Sequence, residues 1–309
     1  MKIFVAGATG AIGSRAVPRL IQAGHDVTAL VRSNALAIPM EATGAHAVKV
    51  SLLDEVGMRT VLGGHDTVVN LATHIPSGAN AIKARAWRED DWVRTEGSAV
   101  LARAAQAAGV GCLIQEAVSF VYPDNKNDWI TERTQPTPNP RSQSATMAAT
   151  AHAVRFATEG GRGIVLRFGQ LYGCDRNSRE ALARTRSGKP VVLGKPAAWL
   201  SPLHPEDAAS AVVAALTCDS GIYNVCEAPV RRANWAVAIG RAARSQDGVD
   251  DDSFYPAAKF YPALLQRLAG PRAEPLTRSH RVSNAAFTEA TGWRPQYNSL
   301  GGGWLNQAG

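Results

Sequence analysis

The first thirteen residues constrain the fold of this chain more than any other stretch. Lys2 to Ala6 is a short apolar run rich in β-forming residues, without the polar alternation of a half-exposed strand. Glycines follow at Gly7, Gly10 and Gly13, and residues 11–22 are typical of a helix. Glycines let the backbone turn tightly and bring its amides against a pyrophosphate at a helix N-terminus. The stretch therefore predicts the strand, turn and helix that open a dinucleotide-binding fold.

Composition leaves few other classes open. At 309 residues the chain is long enough for one large α/β domain or two smaller ones. We find no secretory leader and no apolar run of membrane-spanning length, and we expect a cytoplasmic protein that binds no membrane. The net charge of +7 is spread along the chain, which suits an anionic cofactor and gives no patch for nucleic acid. The four cysteines lack metal-ligand spacing, so no metal site is expected.

Strand and helix patterns then alternate, which predicts an α/β fold with a Rossmann-like, doubly wound parallel sheet. Further strands are predicted at 25–31, 45–50, 66–71, 110–117, 163–168 and 221–225, and helices at 91–108, 144–159 and 208–216. We expect residues 1–168 to form the dinucleotide-binding domain, with 201–226 returning to it.

The remaining segments, 169–200 and 227–309, lose the regular alternation. We expect them to form a smaller, mixed C-terminal cap that binds the substrate, with a short helix at 178–187 and a short strand at 190–193. The segment 124–140 is predicted to be a loop. Pro76 to Asn80 is predicted to be either a lid or an ordinary surface loop.

The end of the second strand bears on which nicotinamide dinucleotide is bound. The sequence there is Arg32-Ser33. An acidic residue at this place would bind the ribose 2′-hydroxyl of NAD, whereas an arginine matches the 2′-phosphate of NADP. Arg15, on the first helical turn, can reach the same phosphate. We expect NADPH as the cofactor, with NADH as the alternative.

Other expected cofactor contacts lie in the glycine turn and just after the strands, where ligands bind to such sheets. With those named above, they are Thr9, Ala11, Ile12, Ser51, Leu52, Leu71, Ala72, Thr73, Phe168 and Gln170.

Two polar side chains follow the fourth and fifth strands and are our catalytic candidates. His74 follows the fourth strand, and Ser119 follows the fifth. Both positions belong to the sheet edge at which chemistry is expected in this fold. The alternative roles are a solvent-exposed loop histidine and a serine that bonds its own backbone. Tyr122 is expected to pack at the corner between strand and loop.

Taken together, the motifs resemble the extended short-chain dehydrogenase/reductase family, which contains nucleotide-sugar epimerases and dehydratases. The resemblance covers nearly the whole chain and rests on Gly7-x-x-Gly10-x-x-Gly13, Asn70-Leu71-Ala72, Val121-Tyr122, Leu166-Arg167-Phe168, Tyr172-Gly173, His204-Pro205-Glu206-Asp207 and Ile222-Tyr223-Asn224-Val225. It implies an NAD(P)-dependent enzyme that acts on a small molecule, as a monomer or a homodimer.

The resemblance fails at the family's proton donor. That family uses a Tyr-x-x-x-Lys pair, in which the tyrosine protonates the carbonyl oxygen as hydride arrives. Aligned on Arg155-Phe156, this chain has Ser142 at the tyrosine position and Thr146 at the lysine position. The alignment implies that Thr146 contacts the cofactor and that the catalytic dyad is absent. Arg94 replaces the family's asparagine on the long helix.

These residues favour an atypical ketoreductase that transfers hydride from NADPH to a ketone on a large substrate. The absent dyad resembles that of reductases that tailor angucyclinone antibiotics, so an aromatic polyketide is the expected substrate. Water or a substrate hydroxyl then supplies the proton. The alternatives are a non-catalytic NADP-binding sensor or scaffold, and a nucleotide-sugar epimerase or dehydratase.

Overall fold

A computed structural model of the protein describes residues 1–76, 84–139, 143–173, 175–245, 256–268, 270–271 and 273–304. Its centre is a seven-stranded parallel sheet. Across the sheet the strands are β3 (His46–Val48), β2 (Asp26–Leu30), β1 (Lys2–Ala6), β4 (Thr67–Asn70), β5 (Cys112–Val118), β7 (Arg162–Phe168) and β11 (Gly221–Val225). The order reverses at β1, as in doubly wound nucleotide-binding sheets. The predicted Rossmann-like α/β fold is confirmed.

The described part of the chain also contains short strands that form two-stranded pairs. They are β6 (Trp129–Ile130), β8 (Gln170–Leu171), β9 (Trp199–Leu200), β10 (Pro202–Leu203), β12 (Val230–Arg231) and β13 (Arg281–Val282). The helices are α1 (Gly13–Gln22), α2 (Asn34–Glu41), α3 (Glu55–Leu62), α4 (Arg88–Trp92), α5 (Ser98–Ala107), α6 (Ser144–Thr158), α7 (Arg176–Arg186), α8 (Pro205–Ala214), α9 (Arg232–Ser245), α10 (Ala263–Leu268), α11 (Glu274–Thr277) and α12 (Ala285–Thr291). No helix in the described ranges is long and apolar enough to cross a membrane.

Helices cover both faces of the sheet, which explains the unbroken apolar run at the start of the chain. Ile3 and Val5 pack in one core with side chains of α1, α2 and α8. Phe4 and Ala6 point the other way and pack with α3, α5 and α6. Since successive strand residues face opposite sides, a strand buried on both sides needs apolar residues throughout.

The long helix predicted at 91–108 differs from the structure. It begins earlier, at Arg88, and a π-helical turn at Val93–Gly97 separates α4 from α5. Such turns insert one residue into a helix and are frequent at functional sites. The apolar periodicity of the sequence did not reveal this turn.

The short strand predicted at 190–193 is wrong. The amides of Val191 and Val192 both donate to the carbonyl of Lys259, and only an isolated bridge joins Val192 to Phe260. Pro190 has no N–H to donate, so a regular ladder cannot extend to it. The predicted loop at 124–140 contains β6, which pairs with β13. The predicted lid lies outside the described residues apart from Pro76.

The segments predicted to form the cap have a separate apolar cluster. It contains Leu182 of α7 and Trp235 and Ile239 of α9, packed with Tyr172 and Trp304. β11, by contrast, pairs with β7 as the last strand of the main sheet. The domain boundaries and the substrate-binding role of the cap remain predictions.

Two buried carboxylates hold the C-terminal segment in place. Asp207 of α8 accepts hydrogen bonds from the amides of Gln296 and Tyr297 at 2.9 and 3.0 Å. Glu227, two residues after β11, accepts one from the amide of Ser299 at 2.9 Å. Burial raises the pKa of Glu227 to about 7, although the hydrogen bonds that it accepts act in the opposite direction.

Glu227 should make the stability of the fold depend on pH. Its pKa of about 7 lies above the ordinary 4.5, so the folded protein holds this proton more tightly than the unfolded chain does. This contribution is complete below the unfolded value and is lost as pH rises through the folded one. We expect it to lower the free energy of unfolding by about 2.5 kcal/mol between pH of about 5 and about 8.

Urea unfolding across this pH range tests the expectation. Glu227→Gln should remove this decline and leave the opposite contribution of buried histidines whose pKa values are lowered, whereas Glu55→Gln, at an exposed residue, should leave the decline in place. An unchanged pH dependence in Glu227→Gln would show that another group is responsible.

Candidate active site

The turn between β1 and α1 has room only for glycine at two of its positions. Gly7 has a φ of 77°, and a Cβ there would lie 2.5 Å from the carbonyl carbon of Leu71. A Cβ on Gly13 would lie 2.2 Å from the carbonyl oxygen of Gly7. Contacts this close exclude a side chain, so the glycines set the distance between the turn, helix α1 and the end of β4.

The same turn presents hydrogen-bond donors that suit a pyrophosphate. Gly10 and Ser14 use their amides within the turn, bonding Gly7 and Gly10. The amides of Ala11 and Ile12 have no backbone partner among the described residues. They stand at the N-terminus of α1, whose first turn carries no acidic residue. Free amides at a helix N-terminus bind anions, so the residues present fit the predicted dinucleotide.

Arg15 forms contacts that its sequence position does not reveal. Its Nε lies 3.0 Å from Glu206 Oε1 at the start of α8, and its Nη1 donates to the carbonyl of Ala11 at 2.8 Å. Arg19 pairs with the other oxygen of Glu206 at 2.7 Å. The arginine thus connects the glycine turn to α8, and its predicted contact with a phosphate remains a prediction.

Helix α8, predicted at 208–216, begins three residues earlier, at Pro205. His204 caps the helix, accepting a hydrogen bond from the amide of Glu206 at 3.3 Å, and Pro205 occupies the first turn. The ring of His204 is fully buried and stacks on Tyr297 with the ring centroids 3.8 Å apart. Burial lowers its pKa to about 4. A neutral, enclosed imidazole of this kind is a structural group.

The predicted adenosine-side residues follow β2 and β3, the two strands on one side of β1 in the sheet. Arg32 and Ser33 follow β2, with Ser33 preceding α2. Ser51 accepts a hydrogen bond from the amide of Leu53 at 3.2 Å. Leu52 lies beside Gly97 of the π turn, its Cβ 3.8 Å from where a Cβ on that glycine would be.

The loop after β4 continues this arrangement. Leu71 and Ala72 lie directly against Gly7, with Ala72 N 2.7 Å from a Cβ built there. Thr73 is partly buried and leads to His74. His74 turns toward the end of β2, where its Nδ1 lies 3.4 Å from Arg32 Nη1.

Ser119 lies apart from His74, at the end of β5. It begins a single 3₁₀ turn and is 2% exposed, and its carbonyl accepts from the amide of Tyr122. Thr146 is buried on α6, while Ser142 lies outside the described residues. Phe168 is buried in the core at the end of β7.

Gln170 opens β8, and its amide donates to the carbonyl of Ser201 at 2.8 Å. No described contact joins the two predicted catalytic residues, and their chemical roles remain predictions.

The letters Tyr-x-x-x-Lys do occur in the chain, at Tyr122–Lys126 and Tyr255–Lys259, but neither pair lies on α6. The Tyr122 hydroxyl donates to Asn224 Oδ1 at 2.9 Å and accepts from Arg167 Nη1 at 2.8 Å. Lys126 has a φ of 53°, so this pair does not share a helical face. Tyr122 is a packed residue, as expected, and Tyr255 lies outside the described residues.

Arg94, which replaces the family's asparagine, is the centre of an ion-pair network that the sequence did not predict. Arg94, 5% exposed in the π turn, donates to Asp90 Oδ2 at 3.0 Å and to both oxygens of Glu116 on β5 at 2.6 and 3.2 Å. Burial lowers the pKa of Arg94, but the two carboxylates more than offset this and raise it. The signal in the sequence was the i, i+4 spacing of Asp90 and Arg94.

This network fixes the edge of the sheet at which β4 and β5 end. Asp90 Oδ1 accepts the amide of His74 at 2.7 Å. Next to it, Asn70 donates to Gln115 at 2.9 Å and accepts the amide of Ala72 at 3.1 Å. Two of these bonds tie the loop amides of Ala72 and His74 to buried side chains, and the third joins buried side chains of β4 and β5, which keeps the edge in a single arrangement.

A comparison with family models decides the classification. The model for the NAD-dependent epimerase/dehydratase family matches residues 3–226, from β1 to just beyond β11. The chain belongs to that family. This membership confirms the resemblance to extended short-chain dehydrogenase/reductases. The protein is an NAD(P)-dependent enzyme of the oxidoreductase type.

Individual proteins agree with this classification. A 3-diazoavenalumate denitrifying reductase from a Streptomyces species is 31% identical over 321 residues, covering 97% of each chain. The UDP-glucose 4-epimerase of Thermotoga maritima, solved with UDP-glucose, has a TM-score of 0.76 at 20% identity and covers 99% of this chain and 97% of its own. The NAD complex of the Thermus thermophilus UDP-glucose 4-epimerase gives 0.75 at 23% identity, with the same coverage. At these identities the two epimerases show the shared fold.

Breaking the Arg94 network should destabilise the protein strongly. Arg94→Met leaves Asp90 and Glu116 buried without their cation, and loss of one partner of a buried pair costs about 3–5 kcal/mol. The exposed pair of Arg103 with Glu55, at 2.7 Å, gives a matched control. Arg103→Met should cost less than about 1 kcal/mol in urea unfolding. Equal losses in the two variants would contradict a structural role for the buried network.

Proposed function

We propose that the protein is an NADPH-dependent reductase that transfers hydride to an aromatic substrate without the Tyr–Lys pair of its family. The observation that carries this proposal is the composition of α6, which holds neither a tyrosine nor a lysine and has Thr146 at the lysine position. The reductase relative at 31% identity supports the same reaction class. A sugar epimerase must remove and return protons in a controlled way, so losing the pair counts more heavily against that activity.

The bound dinucleotide would supply the hydride, and the residues of this chain would hold it in place. The amides of Ala11 and Ile12 are positioned to bind the pyrophosphate at the start of α1. Arg32, exposed after β2, is placed to bind a ribose 2′-phosphate. We assign Ser119 to the hydrogen bond with the accepting atom of the substrate.

The first candidate for the hydride acceptor is a ketone of a large aromatic polyketide in antibiotic biosynthesis. Its reduction requires a proton for the new alkoxide, and a positioned acid typically contributes about 10²- to 10⁴-fold in rate. That factor equals roughly 3–5 kcal/mol. Holding the two reactants in the correct orientation can contribute as much. Water or a phenol beside the reacting carbonyl can therefore replace the tyrosine.

An aryl diazonium group is the second candidate acceptor, favoured by the name of the reductase relative. The group is a cation, so hydride can add to its terminal nitrogen without a proton donor. The aryl diazene so formed loses N₂, and its hydrogen remains on the ring carbon. The net change converts the diazonium cation and NADPH to the arene, N₂ and NADP⁺. Because this reaction consumes no proton, it does not require the tyrosine acid of the family.

Reduction with deuterium-labelled NADPH tests the reaction class. We expect deuterium on the carbinol carbon of the alcohol formed from an aromatic ketone, or on the ring of an arene released together with N₂.

Methylating a phenol next to the ketone should slow that reduction. Ser119→Ala should slow turnover and leave the affinity for NADPH nearly unchanged. Interconversion of nucleotide sugars would instead indicate an epimerase. Tight NADPH binding without reduction of any acceptor would indicate the sensor.

The cofactor preference has a separate test in the binding affinities. Arg32→Asp should weaken NADPH by about tenfold or more, since it removes a charge-assisted hydrogen bond and adds a repelling carboxylate. NADH, which has no 2′-phosphate, should lose much less. Arg103→Asp, on the exposed face of α5, should change neither. Equal losses for NADPH and NADH would remove Arg32 from the phosphate site.

A further inference from the structure

His74 lies at the end of the cofactor site where the adenosine ribose is expected. Its Nδ1 is 3.4 Å from Arg32 Nη1 and 3.2 Å from Glu89 Oε1 of α4. Its backbone is fixed as well, because its amide donates to the buried Asp90 at 2.7 Å. Arg94 neutralises Asp90, which leaves Arg32 and Glu89 as the charged groups in contact with the imidazole among the described residues.

The sheet order separates this place from the other catalytic candidate. Three steps between neighbouring strands separate β2 from β5. At about 4.8 Å a step, the two strand ends lie roughly 14 Å apart. An imidazole held against Arg32 at the end of β2 is therefore remote from Ser119 at the end of β5.

The contacts of Nδ1 involve two partners of opposite polarity. Arg32 offers only N–H donors, whereas the Glu89 carboxylate only accepts. One imidazole nitrogen can accept from the arginine or donate to the carboxylate, but it cannot do both. Once an anion draws Arg32 away, Nδ1 can donate to Glu89, and Nε2 then becomes a second donor beside the arginine if the ring is protonated.

We infer that His74 is a specificity-determining residue that binds the 2′-phosphate of the cofactor together with Arg32. In this arrangement the Nδ1–H of His74 donates to Glu89, and Nε2 donates to the phosphate. The inference rests on the proposed use of NADPH. It replaces the catalytic role expected from the position of His74 after β4 by a role in cofactor selection.

Calorimetric titration with nucleotide fragments tests the inference without turnover. The fragments are 2′,5′-ADP and 5′-AMP, which differ in the 2′-phosphate alone. We expect His74→Ala to weaken 2′,5′-ADP by about tenfold, as for loss of a charge-assisted hydrogen bond. Its affinity for 5′-AMP should stay unchanged, which also shows that the variant is folded. In combination with Arg32→Ala, the losses should not add, because the two side chains share one ligand.

His46 provides the matched control. It is an exposed histidine on β3 that lies 3.5 Å from Asp26, and His46→Ala should leave both affinities unchanged. Equal weakening of both fragments by His74→Ala would overturn the inference, as would no weakening of 2′,5′-ADP. A slower hydride transfer at saturating NADPH with both affinities intact would also overturn it, returning His74 to catalysis.

The same titrations distinguish failure of this inference from failure of the proposed use of NADPH. If the unmodified protein binds 2′,5′-ADP no better than 5′-AMP, the proposed use of NADPH fails and the inference fails with it. If the unmodified protein prefers 2′,5′-ADP and His74→Ala keeps that preference, the inference alone fails.

Discussion

The close approach of three backbone segments is the constraint on which the rest of the structure depends. Gly7 lies against the carbonyl of Leu71, and Gly13 lies against the carbonyl of Gly7. Because no Cβ fits at either glycine, β1, β4 and α1 meet at one point. Their meeting fixes the turn against the loop after β4 and leaves the amides of Ala11 and Ile12 without a backbone partner among the described residues. The proposed pyrophosphate contacts therefore depend on backbone packing before any side chain takes part.

The side chains around the glycine turn and the ends of β4 and β5 determine which reaction the candidate active site can catalyse. At the edge where the family places a tyrosine and a lysine, this chain has Thr146 on α6 and a buried hydroxyl at Ser119. The ion pairs of Arg94 with Asp90 and Glu116 fix the same edge from below. An edge held rigid in this way suits the proposed reaction, in which orientation does most of the work.

The fold was predictable because its signals are local. An apolar run buried on both faces and a glycine turn next to it identify the sheet and its ligand within a few residues of sequence. The contacts of Arg15 with Glu206 and of Arg32 with His74 join segments far apart in the chain, and no local pattern encodes them. The π turn was missed for a related reason, since one inserted residue changes the apolar period only slightly and Glu116, which bonds Arg94 of this turn, lies 22 residues further along the chain.

The first turn of α8 serves two parts of the molecule with adjacent side chains. Glu206 faces the arginines of α1, and the next residue, Asp207, holds the amides of Gln296 and Tyr297. The backbone of one helical turn therefore sets the position of both carboxylates. Through this turn, helix α1 next to the glycine turn and the segment that contains Gln296 and Tyr297 rest on the same short stretch of backbone.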